Sequence, residues 1–157
     1  MKIARVTLSD RASAGAYADL SGPEIERVLR DSFGDEPVVI ARLIPDERDR
    51  IAAALRDLCD VEHCDLVITT GGTGPAPRDV TPEATRDVLE RELPGFGEAM
   101  RAVSFAMVPT AILSRATAGT RGRSLIINLP GRPQAIGECL PPLLPAIHEC
   151  LKHLNGG

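Results

Sequence analysis

Apolar positions along this chain fall into two alternating patterns. Short runs over residues 3–8, 38–44, 66–68 and 124–129 are apolar on both faces and read as strands covered from both sides. Between them, apolar residues recur at helical spacing. Ile25, Val28 and Leu29 form one stripe, and Ser21 and Glu24 ahead of it have the spacing of a capping box. Ile51, Leu55, Leu58 and Cys59 share one face of a helix beginning near Glu47, with arginines and acids opposite.

Thr81-Pro82-Glu83 predicts a further helix start, with Thr81 as N-cap, Pro82 in the first helical position and Val88 and Leu89 on the core side. Residues 93–97, Leu-Pro-Gly-Phe-Gly, break that helix. Another is expected over 98–106, then a short turn or helix start over 109–114. The last helical pattern runs from Gln134, is interrupted at Pro141 and Pro142, and resumes with Leu143, Leu144, Ile147, Leu151 and Leu154.

Strands alternating with helices, each strand apolar on both faces, predict an α/β fold: a three-layer α/β/α sandwich with a mostly parallel central sheet. No internal repeat or linker divides the chain, so residues 1–157 read as a single domain.

Composition narrows the function classes. Hydrophobic residues at 43% and charged residues at 25% are ordinary for a globular protein, and a formal charge of −4 argues against a nucleic-acid or membrane-surface binder. No apolar run approaches the ~20 residues that span a bilayer, and the start of the chain reads as a strand and not a signal peptide. Cys59, Cys64, Cys139 and Cys150 form no C-x-x-C pair and do not converge on a metal with His63, His148 or His153. Reduced, buried thiols and a cytoplasmic location are expected.

The chemistry gathers where strands end. The run at 66–68 empties into Thr69, Thr70, Gly71, Gly72, Thr73 and Gly74, too glycine-rich to extend a strand or start a helix. Such a loop brings a ligand close to the main chain and points several N–H groups at one anion. It is neither a Walker A loop nor a dinucleotide fingerprint, because no Gly-Lys-Ser/Thr follows and Gly72-x-Gly74 continues into Pro75-Ala76-Pro77.

In open parallel sheets ligands bind beyond the carboxyl ends of the strands. There Ser9-Asp10, Pro45-Asp46, residues 69–74 and Pro130-Gly131 line up. Asp46 and Asp79 are the carboxylates placed to share a Mg²⁺ ion, which takes one or two carboxylates plus substrate phosphates and water. Each also has a plainer role: Asp46 as N-cap of the helix at Glu47, Asp79 as the support of its own turn. Ser114, Arg115, Arg121 and Arg123 bring hydroxyl and guanidinium groups to anions or merely to solvent.

The segments TLSDRASAGAYADLSGP, RLIPDE, ITTGGTGPAPRDVTPEAT, PTAILSRATAG and NLPGRPQAI together resemble the molybdopterin adenylyltransferases of molybdenum cofactor biosynthesis, the MogA/MoaB-like family related to the gephyrin G domain. The resemblance runs over nearly the whole chain. It implies the molybdenum cofactor biosynthesis fold, a homotrimer, and Mg²⁺-dependent transfer of AMP from ATP to the phosphate of molybdopterin, with the product passing to a molybdenum insertase. By matching position it implies Asp46 and Asp79 as the essential, ionised acids that hold metal and reacting phosphates. It further implies residues 69–74 as the backbone cradle, with Ser9, Asp10, Ser114, Arg115, Asn128, Pro130 and Gly131 binding substrate.

One departure stands out. The turn reads LPGRPQ, with Arg132 and Gln134 where relatives often carry an amide and then a lysine. The alternative function is a noncatalytic molybdopterin carrier or scaffold.

Overall fold

The computed structural model describes residues 1–157. In chain order the elements are β1 (Lys2–Leu8), α1 (Asp10–Ser13), α2 (Ser21–Phe33), β2 (Val38–Ile44), α3 (Arg48–Arg56), β3 (Leu66–Thr70), α4 (Thr81–Arg86), β4 (Arg91–Glu92), α5 (Gly95–Phe105), β5 (Ala118–Arg121), β6 (Ser124–Leu129) and α6 (Pro133–Leu154). A π-helical turn, Asp57–Val61, extends α3, and a 3₁₀ segment, Pro109–Leu113, follows α5.

One six-stranded sheet has the order β2-β1-β3-β6-β5-β4. Its first four strands are parallel, and β5 and β4 are antiparallel additions. Alternation along the central strands serves two cores. Ile3, Leu66, Ile68, Leu125, Ile127 and Leu129 face the layer of α2, α5 and α6, while Ala4, Val6, Leu8, Val67 and Ile126 face α3 and α4. This is the α/β/α sandwich expected from strands apolar on both faces.

The chain leaves β1 toward β2 on one side and later places β3 on β1's other side. The crevice beyond β1 and β3 is therefore a topological switch point, where α/β sheets open to ligands.

Several local expectations are corrected. β2 is an edge strand, so Val38, Val39 and Leu43 are exposed while Ile40 and Ile44 pack against the core. The capping box at α2 is not made. Asp19 Oδ1 instead accepts from the N–H groups of Ser21 and Gly22, and the Ser21 hydroxyl donates to the Gly131 carbonyl. Thr81 caps nothing with its side chain; its hydroxyl donates to Gly71 O at 2.8 Å and its N–H to Gly72 O at 3.1 Å, tying the glycine loop to α4.

The helix at Thr81 ends at Arg86, so Val88 and Leu89 follow it and do not lie on it, and the short β4 stands where the sequence predicts only the end of that helix. α6 runs unbroken through Pro141, Pro142 and Pro145, because the stripe of Ile136, Cys139, Leu140, Leu143, Ile147 and Leu151 is buried against the sheet. Helix-breaking propensity loses to tertiary burial there. Strand β5 carries no pattern in the sequence: Ala118, Gly119 and Thr120 are too small to give a strand signal, and Gly119 lies so close to β4 that a Cβ would sit 2.3 Å from Arg91 O.

Candidate active site at the glycine loop

The loop after β3 is held from behind. Gly71 has φ +97 and Gly72 φ +66, conformations that side chains disfavour, and a Cβ at Gly71 would sit 2.3 Å from the Leu8 carbonyl at the end of β1. Gly71 donates its N–H to Leu129 O. The N–H groups of Gly72, Thr73 and Gly74 donate to no protein acceptor, which leaves three neighbouring donors for an anion.

Arg115 does not face the ligand side. Its Nε donates to Gly74 O at 2.8 Å, its Nη2 to Asp79 O at 2.6 Å, and its Nη1 pairs with Glu83, so the guanidinium clamps the loop to α4. Thr69, Thr70 and Asn128 are buried, and their polar groups are spent on neighbouring elements, although Thr70 still lines the cleft beside Gly71. The Asn128 amide donates to Thr69 Oγ1 and Thr85 Oγ1, and Thr70 donates to Pro130 O. These four residues brace the site from within, and the open part of the cradle begins at Gly71.

The acids meet at the loop's outer side. Asp46 does not cap α3, whose N-cap is Glu47 without a side-chain bond. Instead Asp46 and Asp10 lock the ends of β2 and β1 together: Asp10 N donates to Asp46 Oδ2 at 3.0 Å, and Asp46 N to Asp10 Oδ1 at 2.9 Å. Asp46 Oδ1 is buried without any hydrogen-bond partner, at a position 2.9 Å from where a Gly72 Cβ would stand. An unpaired buried acceptor costs on the order of 1–3 kcal/mol, so it marks a place where a partner is expected. Asp79 Oδ2 accepts from Ala76 N at 3.1 Å and lies against Gly74 in the same way.

Electrostatics follow from this packing. Burial pushes the Asp46 carboxyl above its ordinary range, and the charges of Asp10 and Asp79 push in the same direction. Arg78 forms a two-point pair with Asp10 and holds that carboxyl below its usual range. Asp46 thus sits in a field that a cation would relieve.

Two hollows flank the loop. A cleft of about 400 Å³ is lined by Ser9, Tyr17, Asp19, Gly71, Gly72 and Gly131, among others. A pocket of about 190 Å³ on the other side is lined by Thr73, Gly74, Arg101, Ser114 and Pro130, among others. Ser9 and Tyr17 hydroxyls are 2.8 Å apart at the rim, and Ser9 Oγ also accepts from Ala12 N. Asp19 escaped the sequence reading, yet it takes hydrogen bonds from Thr7, Arg5, Ser21 and Gly22 and so builds the cleft wall. An acid two residues before a helix was its one visible signal.

No cluster of three or more His, Cys, Asp or Glu side chains forms a metal cage. A Mg²⁺ ion needs none, since two carboxylates and substrate phosphates suffice. Asp46 with its unpartnered oxygen and Asp79 beside it fit such an ion.

Comparison with known proteins places this geometry. The chain matches the family described as "Probable molybdopterin binding domain" over residues 4–149. It is 53% identical over 151 residues to the molybdopterin adenylyltransferase of Helicobacter pylori, covering 96% of this chain and 86% of that one. To the molybdopterin adenylyltransferase of Haemophilus influenzae it is 49% identical over 168 residues, covering 99% and 85%. The solved structure of the molybdopterin biosynthesis enzyme MoaB from Thermus thermophilus superposes with a TM-score of 0.90 at 44% identity, covering 99% and 97%.

Proposed function

The chain belongs to the family of molybdopterin-binding domains of molybdenum cofactor biosynthesis, and from that premise we propose that it is a molybdopterin adenylyltransferase, moving AMP from ATP to the phosphate of molybdopterin. The observation that carries the reading is Asp46. It is freed from helix capping, buried against Gly72 and left with one oxygen unpaired beside three unengaged loop N–H groups.

In the reaction a phosphate oxygen of molybdopterin forms a bond to the α-phosphorus of ATP. The bond from that phosphorus to the pyrophosphate oxygen breaks, and the electron pair leaves with pyrophosphate. Such a displacement needs alignment and charge neutralisation more than a protein nucleophile. The N–H groups of Gly72, Thr73 and Gly74 supply fixed donors to phosphate oxygens. Arg115, Thr81 and Asn128 keep the loop from moving as charge develops. Asp46 and Asp79 would hold Mg²⁺, which supplies positive charge to the phosphates when bound. The two flanking hollows offer separate room for pterin and nucleotide.

The same reading includes a homotrimer, a cytoplasmic location in keeping with four unpaired thiols, and delivery of the product to a molybdenum insertase. Phe105, Met107, Ile112 and Leu113 are exposed near one another in sequence, an apolar stretch that a second copy would cover. Light scattering should then give three times the 16.7 kDa chain mass.

Pyrophosphate release by the purified protein with Mg²⁺ and ATP, with and without fresh molybdopterin, tests the activity. Release that depends on molybdopterin is expected. Molybdopterin binding without release would make the chain a carrier.

A further inference from the structure

Arg132 stands where the two hollows meet. Of the residues that line the cleft beside Ser9 and Gly71 and those that line the pocket beside Thr73 and Ser114, Arg132 alone lines both. It is the last residue before α6, its side chain is exposed, and no protein group takes a hydrogen bond or ion pair from its guanidinium. The N–H groups of Gly131 and Arg132 also donate to no protein acceptor.

The other arginines that flank the loop are committed, while Arg11, which lines neither hollow, lies over the Tyr17 ring at 5.1 Å. Arg115 is tied to Gly74, Asp79 and Glu83, Arg78 to Asp10, and Arg101 to the Ser114 and Ala116 carbonyls. Any ligand that occupies both hollows crosses at Arg132, whose guanidinium has no protein partner.

We propose that Arg132 binds the reacting phosphates at this crossing, holding the molybdopterin phosphate and the α-phosphate of ATP together for transfer. The assignment rests on the adenylyl-transfer reading, in which the only part shared by both substrates' sites is phosphate. Guanidinium suits the task because its planar fork donates to two phosphate oxygens at once and stays charged. Arg132 transfers no proton; its hydrogen bonds go to non-bridging oxygens, whose charge rises as the new bond forms and pyrophosphate departs.

The test is steady-state pyrophosphate release by the full-length protein and its Arg132→Ala, Arg132→Gln and Arg132→Lys variants, with melting temperatures measured beside it. The alanine and glutamine variants should lose roughly 10²-fold in kcat/KM, mostly in kcat, while melting like the parent. The lysine variant, which keeps the charge but not the fork, should recover to within about tenfold of the parent. Raising the salt concentration should shrink the difference between parent and alanine variant. Glutamine keeps most of the stem, so a parent-like rate in that variant overturns the proposal even where alanine disturbs packing. A parent protein without molybdopterin-dependent release refutes the adenylyl-transfer reading itself, an outcome distinct from an active parent whose Arg132 variants are equally active.

Discussion

Asp46 and Asp79 lie close in the fold but do different structural work. Asp46 keeps one oxygen for Asp10 N and leaves the other unpaired, whereas Asp79 spends an oxygen on its own turn. Asp46→Asn retains a carbonyl oxygen for Asp10 N and removes a partly buried charge. It should melt at least as high as the parent while molybdopterin-dependent turnover falls by at least ~10²-fold. Asp79→Asn should lose turnover as severely and keep pterin binding. Parent-like rates in both variants would return these acids to structural roles. A second residue-scale expectation concerns pH. Burial pushes the Cys64 thiol up to about 11, above its value near 8.5 in an unfolded chain. Stability linked to this group is fully present below the unfolded value and is lost as pH rises toward the folded one. Denaturant midpoints should therefore fall between about pH 9 and 11, less so in Cys64→Ala, and iodoacetamide should label Cys64 only once the protein unfolds.

At the scale of elements, the glycine loop and its supports form one unit. A Cβ at Gly71 would strike the Leu8 carbonyl, which is backbone and cannot turn aside, while at Gly72 it would meet Thr81 Oγ1 and Asp46 Oδ1, which are side-chain ends. Gly71→Ala should thus cost the most stability, on the order of 2–4 kcal/mol by denaturant titration, and Gly72→Ala about 1–2 kcal/mol. Gly72→Ala should instead show the greater loss of turnover per unit of lost stability, because it displaces the Asp46 carboxylate. Equal ratios for the two variants would contradict this division. In α6, Pro145 is exposed and supplies no backbone N–H. Pro145→Ala should raise stability by roughly 1–3 kcal/mol, measured as a higher denaturant midpoint.

These elements also show what was legible in the sequence and what was not. The loop, the strand ends and the starts of α3 and β6 came from composition and period, which are local signals. The role of Arg115 did not, because an arginine that clamps three carbonyl or carboxylate groups across the chain looks the same in sequence as one awaiting phosphate. Asn128 was placed in the pocket by resemblance, and only the packing of β6 between β3 and β5 shows that it faces inward. The proline-rich α6 misled for the opposite reason: its breakers are local, and the burial that overrides them is not.

For the whole molecule, strand order decides where function can reside. Reversal of direction at β1 opens the crevice, the ends of β1, β2, β3 and β6 bring Asp10, Asp46, the glycine loop and Pro130 to one edge, and two hollows there meet at Arg132. Cys59, His63 and Cys64 gather at the other end of the strands and take no part. The account requires that one phosphorus atom pass from one substrate to the other across that edge. Incubating the protein with Mg²⁺, molybdopterin and ATP radiolabelled at the α-phosphate, then separating the pterin products, follows that atom directly. Label that enters the pterin fraction with the parent protein, and fails to enter with Asp46→Asn, is the predicted result. Label that remains in nucleotide while molybdopterin is demonstrably bound would contradict adenylyl transfer.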